Sequence, residues 1–436
     1  MGRKIFGRDV VTLVSGTVAA QALLIGAVPI LSRIFAPSAF GLFAVYSMLM
    51  SLCAYVVSGR YELAVVIPQD DADAASLVRI AMRLGALGAM VLFAVALVAR
   101  RPLATILGQS ELSPWLLLLP ASVWFTVATQ TLNLWFARIE QFRAISTNRI
   151  LVALSTTVAS LAFGWLGWRS AGLLLGLVLG QAIGVAAYAA AAAVSMRERG
   201  LRSDSARMRL LMRRYSDFPR YSVVADAIGF AGGMMPVLLM GPTFGGVAVG
   251  HYSLTQRMLG APSGLVGNAF AEVFRQRASR ELAESGNCRE TWKQTARELL
   301  IVGVPLFLIV VLIGPGLAPR LLGSKWAGVG PFVSSLGVLY AISFVASPLG
   351  RTLQFGEKQR TDLGWQVVLF LLTTSAIVFG CQTRSLLTTL WTFVLAYSSM
   401  YVVYLVLSYR AASRMTRRGD GEGAGPTTVG STEIAS

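Results

Sequence analysis

The residues able to do chemistry here are the few polar and charged groups stranded in apolar sequence. Arg257 is foremost: it stands within YSLTQRMLGAPSGLVGNAF, with Gln256 beside it and Pro262 following. It lies too deep in its apolar run to snorkel easily, so its guanidinium must face protein or a wet cavity. A planar, bidentate donor in such a place suits a phosphate or another anion. An internal ion pair with Asp226 is the equal alternative. Asp226 follows Arg220 by about a turn and a half and either binds a coupling proton or sodium ion or only neutralises Arg257. His251, upstream of Arg257 on the same run, has the titration range of a proton relay; the competing reading is a satisfied packing residue. Arg60, in Gly59-Arg60-Tyr61-Glu62, reaches a cavity mouth if its helix continues through LAVVIP. Otherwise it snorkels at a helix end, paired with Glu62. Arg83 completes the cationic candidates, although Arg79, Arg83 and Arg149 sit near helix ends, where snorkelling competes with ligand contact. Arg257, Arg60, Arg83 and Gln256 are thus the candidates for an anionic ligand, and Asp226 and His251 for coupling.

Other chemistries are excluded by what the chain lacks. No P-loop, GxSxG, HExxH or paired-carboxylate constellation is present. Three cysteines (Cys53, Cys288, Cys381) without a CxxC pair, and a single histidine, rule out a disulfide framework and a thiolate or histidine metal centre. No cofactor and no metal are expected.

The elements that must position these residues are membrane spans. Of 436 residues, 55% are hydrophobic and 14% charged, against about 45–50% and 25% in soluble domains. Ten charge-free stretches reach 18 residues or more: 10–32, 34–59, 112–137, 150–168, 170–196, 227–256, 299–319, 326–350, 363–383 and 385–409. A bilayer core takes roughly 20 helical residues to cross. The stretch 227–256 is too long for one span and is broken by Gly241-Pro242 and Gly245-Gly246. With that split, and with 77–98 added, the expectation is an all-α integral membrane protein of twelve transmembrane helices. The first apolar run, at 23 residues, exceeds a signal peptide's core of about 7–15 and is kept as the first span.

Charge sets the orientation. The N-terminus, the even-numbered connections and the tail hold 27 Lys and Arg, and the odd-numbered connections 7. Positive residues stay inside, so both termini are expected in the cytoplasm. The net charge of +17 therefore reports membrane topology, and nucleic acid is not expected as a partner. The predicted layout is a six-helix bundle at 1–196, a basic linker at 197–220, a second six-helix bundle at 221–409 and a disordered tail at 410–436. The linker region, 195–220, carries eight arginines and reads as a segment lying on anionic headgroups. The loop 272–298 mixes both signs and reads as a solvated helix. A faint repeat relates the halves: Pro29, Phe40-Gly41 and Tyr46 answer to Pro236, Phe244-Gly245 and Tyr252. Six spans separate the copies, so the repeat is parallel. Gly172, Gly176, Gly180 and Gly184 share one face of the sixth span, and the expectation is close packing within the first half.

Several of these segments resemble the polysaccharide-transporter branch of the multidrug/oligosaccharidyl-lipid/polysaccharide (MOP) exporter superfamily. In the first half the likeness rests on Ser15-Gly16-Thr17, Ala20-Gln21, Pro29-Ile30-Leu31-Ser32-Arg33, Phe40-Gly41 and Arg60-Tyr61-Glu62. In the second it rests on Phe218-Pro219-Arg220-Tyr221-Ser222, Gly250-His251-Tyr252-Ser253-Leu254-Thr255-Gln256-Arg257, Leu322-Gly323-Ser324-Lys325-Trp326 and Glu357-Lys358-Gln359. The order and spacing of these segments over residues 10–410 carry the resemblance, since no one of them is diagnostic. It implies two six-helix bundles in a V around a central cationic cavity, with Arg257 and Arg60 at motif positions. It further implies movement of undecaprenyl-diphosphate-linked oligosaccharide from the cytoplasmic to the periplasmic leaflet of the bacterial inner membrane, for O-antigen, capsule or exopolysaccharide synthesis. The implied partners are the lipid-linked oligosaccharide, membrane lipids, and polysaccharide polymerase and chain-length proteins. The rival readings are a cation-coupled multidrug exporter of the same superfamily, which would favour acidic residues in its cavity, and a membrane polymerase or ligase. The latter would need a sizeable periplasmic loop, and the odd-numbered connections are all short.

Overall fold

The computed structural model describes residues 2–201, 205–355 and 359–414, and no strand occurs among them. The tail expected to be disordered over 410–436 is helical as far as Arg414; its remainder and the Glu357-Lys358 part of the Glu357-Lys358-Gln359 motif lie outside the described residues. The helices run in chain order as α1 (Gly2–Gly26), α2 (Val28–Ile34), α3 (Pro37–Val57), α4 (Asp71–Ile106), α5 (Leu119–Arg138), α6 (Phe142–Trp165) and α7 (Arg169–Glu198). There follow α8 (Ser205–Arg214), α9 (Val223–Ser285), α10 (Arg289–Leu322), α11 (Gly330–Gly350), α12 (Thr352–Phe355), α13 (Gln359–Gln382) and α14 (Leu386–Arg414).

Local chemistry sets many of the boundaries. Pro37 opens α3, where its missing N–H costs nothing. Asp70 caps α4 by accepting the Ala72 N–H at 2.9 Å, and Asp71 and Asp73 complement the helix dipole in its first turn. Among the described residues ten helices are long and apolar enough to cross a membrane, and the bent pair Ser110–Leu117 with Leu119–Arg138 makes eleven. Gly232–Leu282 counts once among them, yet its 51 residues would reach about 76 Å at the helical rise, far beyond a core of about 30 Å. Gly245 breaks it with φ +77° and ψ 177°, a conformation open to glycine alone. Counted as two crossings, it restores the twelve spans expected from the sequence.

The chain divides into two compact units. The first comprises Met1–Ala261, Val310–Leu336 and Thr373–Phe393. One of its cores gathers Tyr61, Leu77, Leu132, Trp135, Phe136 and Tyr188; another gathers Phe35, Phe40, Leu254, Trp326 and Val333. The glycine series on α7 packs on α6 as expected. A Cβ at Gly176, Gly180 or Gly184 would come within 2.1 Å of Ser160 Oγ, 2.0 Å of Thr156 Oγ1 and 2.2 Å of Val152 Cγ2. The repeat segments also meet each other: a Cβ on Gly41 would lie 2.1 Å from the Gly246 carbonyl, and one on Gly250 1.8 Å from that of Pro37. At that point α3 and the part of α9 after its break touch backbone to backbone.

The linker is held in part by the protein itself. Its helix α8 packs on protein, with Met208 and Leu211 buried in the core around Tyr61. Arg207 pairs with Asp70 and Asp73, and Arg199 with Asp71 at 2.6 Å. The Ala72 N–H and Arg207 together hold the Asp70 carboxyl below the usual carboxylate range. Sequence shows the arginines but not the carboxylates folded against these two, while Arg209, Arg213, Arg214 and Arg220 remain exposed.

The second unit comprises Pro262–Ile309, Gly337–Leu372 and Val394–Ser436. Phe274, Leu299, Phe307, Phe344 and Leu349 form one core. Trp365 stacks on Tyr404, with centroids 4.0 Å apart, in another. The loop expected to be a solvated helix continues α9 and opens α10, with exposed pairs such as Arg280–Glu284 and Lys293–Glu290, both at 2.9 Å.

Candidate functional site

Within the first unit a cavity of about 540 Å³ opens between α1, α2, α3, α5, α6, α7 and α9. Its wall carries Arg149 and Arg257 with the amides of Gln21, Asn133 and Asn148 and the hydroxyls of Thr17, Thr156, Thr157 and Ser160, and among the described residues no carboxylate lines it. A smaller chamber of about 220 Å³ adjoins it. The chamber shares Phe40, Phe43 and Arg257 and is walled mainly by Met48, Phe230, Met234, Val237 and Leu254, with Gln256 and three serines. Arg257 therefore borders both spaces.

The two arginines are held differently. Arg149 donates to the Thr17 hydroxyl, which ties α6 to α1. Among the described residues, Arg257 has no carboxylate within ion-pair distance and no hydrogen-bond partner for its guanidinium. A cation so placed, in a wall without acidic groups, attracts an anion strongly because little water screens it.

The alternative partner for Arg257 is engaged elsewhere. Asp226 Oδ2 accepts from Arg60, at 2.6 Å from Nε and 2.5 Å from the second guanidinium nitrogen. Arg60 also donates to Glu62 Oε1 at 3.2 Å and lies over the Tyr55 ring, 4.3 Å from its centroid. Gly59 and Arg60 both take φ +57°, a left-handed turn that swings the side chain back to meet Asp226 and Glu62. The Glu62 side chain is 1% exposed. Burial pushes its carboxyl above the usual carboxylate range, against the opposing effects of its own backbone N–H, Ser58 and Arg60. Arg60 is thus a structural ion-pair hub.

The remaining candidates fall apart in space. Arg60 and Arg83 line neither cavity. Arg83 is exposed, with one guanidinium nitrogen 3.7 Å from Met208 Sδ, because its face of α4 looks toward α8. Gln256 lines the smaller chamber beside Arg257. His251 is buried between Trp326 and Phe332, with ring centroids 5.5 and 5.4 Å away, and borders neither cavity. Arg149, set aside in the sequence as a snorkelling residue, is the one that joins Arg257. The usable signal was its register: Arg149, Thr156 and Ser160 stand at i, i+7 and i+11, on one polar face of α6.

The comparisons agree with this architecture. The family described as "Polysaccharide biosynthesis protein" matches residues 30–331. No curated protein matches the chain. Among solved structures, the lipid II flippase MurJ in an inward closed conformation aligns with a TM-score of 0.72 at 10% identity, over 91% of this chain and 87% of that one. An inward-facing multidrug resistance MATE family transporter of the MOP superfamily aligns with a TM-score of 0.67 at 14% identity, over 91% and 95%. A MOP superfamily transporter from Pyrococcus furiosus gives 0.55 at 14% identity, over 93% and 96%. Those likenesses concern the fold; the family match covers most of the sequence, and this multi-pass membrane protein, built on the MOP-superfamily fold, belongs to the polysaccharide biosynthesis protein family.

Proposed function

We propose that the chain is a flippase for lipid-linked oligosaccharide, carrying an undecaprenyl-diphosphate-linked glycan from the cytoplasmic to the periplasmic leaflet for surface polysaccharide synthesis. The observation that carries this reading is the cavity holding Arg149 and Arg257 with no carboxylate among its described lining residues. A bilayer blocks a diphosphate and a polar glycan, whereas a polyprenyl tail is at home in lipid. What such a substrate needs is a wet, cationic enclosure for its headgroup, and Arg257 in particular has no counter-ion among the described residues. The family match supports a role in polysaccharide synthesis. A cavity for cationic drugs would be expected to carry acidic residues instead.

The reading includes alternating exposure of the cavity to the two membrane faces, biased by a cation gradient or the membrane potential, with both termini cytoplasmic in a bacterial inner membrane. Polymerase and chain-length proteins would act on the delivered glycan. The test is leaflet accessibility of lipid-linked glycan in cells lacking the protein and in cells carrying Arg257→Ala with Arg149→Ala. Glycan stranded on the cytoplasmic face in both supports the proposal. Normal delivery in the deletion, with only drug sensitivity altered, refutes it in favour of an exporter.

A further inference from the structure

The linker arginines divide by the side of α8 on which they stand. Met208, Leu211, Met212 and Tyr215 pack inward on the core around Tyr61. The Tyr61 hydroxyl donates to the Met212 carbonyl at 3.0 Å, and together these contacts fix the rotation of α8 about its own axis. Arg209, Arg213 and Arg214 are left on the opposite side, exposed, with Leu210 among them at 67% exposure. Arg220 follows, also exposed, as is Asp217 between them. Among the described residues none of these four arginines has a carboxylate within ion-pair distance. The acids at the start of α4 are already engaged: Asp70 and Asp73 hold Arg207, and Asp71 holds Arg138 and Arg199.

The depth of this face follows from α4, on which α8 packs. Residues 84–99 of α4 carry no charge and lie between Arg83 and Arg100. At the helical rise they cover about 24 Å, and with arginines snorkelling at both ends they fill a bilayer core of about 30 Å. Leu87, Met90, Val91 and Val98 are exposed along that stretch, as lipid-facing residues are. Arg83 therefore marks one edge of the core, and its guanidinium lies 3.7 Å from Met208 Sδ of α8. Asp73, which holds Arg207, stands about 15 Å further out along α4. The layer between them, which α8 occupies, is that of the headgroups and their counter-ions.

An exposed leucine among arginines is unfavourable in water and favourable at the boundary of the acyl chains. Guanidiniums without carboxylates in that layer attract anionic phosphates, and the attraction grows with each basic residue. We propose that this face of α8, with Arg220, is a binding surface for anionic phospholipid. Arg209, Arg213, Arg214 and Arg220 engage the headgroup phosphates, and Leu210 enters the acyl boundary. The linker is then held by protein on one side and by lipid on the other.

Chymotrypsin cleavage of the linker in the full-length protein, reconstituted in nanodiscs, tests this. Discs of phosphatidylcholine alone are compared with an equal mixture of phosphatidylcholine and phosphatidylglycerol. The mixture should slow cleavage by about tenfold or more, and raised salt should remove most of that protection. Phosphatidylserine in place of phosphatidylglycerol should protect equally. Arg209→Gln, Arg213→Gln and Arg214→Gln together should cancel the response to anionic lipid while leaving the rate in phosphatidylcholine close to that of the unaltered protein. Arg213→Gln with Arg214→Gln serves where the triple variant fails to fold, and should lose most of the protection. Equal cleavage of the unaltered protein in the two discs, or a folded triple variant that keeps its full response, overturns the proposal. Protection by soluble polyglutamate in phosphatidylcholine discs, with none from phosphatidylglycerol, overturns it in favour of an acidic protein.

Discussion

Arg257→Met separates a ligand-binding arginine from a structural one. A structural arginine loses hydrogen bonds when truncated, and the protein weakens. Arg257 makes none and has no counter-ion among the described residues, so its charge is a standing cost to the empty protein. Insertion energetics put an arginine at the centre of a span at about 2.5–3.5 kcal/mol unfavourable. Part of that cost is relieved by the cavity it faces, which leaves about 1–2 kcal/mol to be recovered by a methionine of similar length. At roughly 2 °C per kcal/mol for a chain of this size, the apparent Tm of the purified protein in detergent should rise by about 2–4 °C. Inorganic pyrophosphate at a hundred times its Kd should stabilise the unaltered protein by about 2.7 kcal/mol. The variant should show no such shift. Stability gained with anion response and glycan delivery lost is the signature expected. An Arg257→Met protein that melts below the unaltered one without anion, or that keeps its pyrophosphate response, would refute the reasoning.

Arg60→Gln should behave oppositely, since it strands the buried Glu62. Loss of one partner from a buried pair costs about 3–5 kcal/mol, and the 38% exposure of Asp226 keeps the effect near the lower figure. Because burial raises the Glu62 carboxyl, the folded protein binds more protons than the unfolded chain between the two titration points, and stability falls as pH rises through that window. Arg60→Gln should extend the fall to higher pH, and Glu62→Gln added to it should flatten the profile, read as melting temperature against pH. On the linker helix, Leu211→Ala should cost about 2–5 kcal/mol and speed proteolysis of the linker. Arg207→Ala, removing two part-exposed ion pairs, should cost about 1 kcal/mol; the reverse ranking would mean that charge, not burial, holds α8 in place. Gly180→Val places its first added carbon 2.0 Å from Thr156 Oγ1 and 2.8 Å from its backbone nitrogen, and should abolish a monodisperse peak on size exclusion. Gly233→Ala, with nothing within 4 Å, should preserve it.

Spans, their number and the close-packing face of α7 were legible in the linear sequence because each is a local property. A bilayer demands about 20 apolar residues in a row, and small residues four apart must share a helix face. Arg257 was legible for the same reason, as a charge that its own run could not deliver to water. What the tertiary structure alone decided is which charges meet. Asp226 turned from Arg257 to Arg60 because a left-handed turn at Gly59-Arg60, invisible in composition, aims that side chain. Two of the linker's arginines, Arg199 and Arg207, found Asp70, Asp71 and Asp73, more than a hundred residues earlier in the chain. Arg149 became a cavity residue because packing of α6 on α1 rotates its face inward, where Thr17 anchors it. Hydropathy is summed along one segment, whereas a binding site depends on the rotation of several helices about their own axes, and that rotation is set by long-range packing.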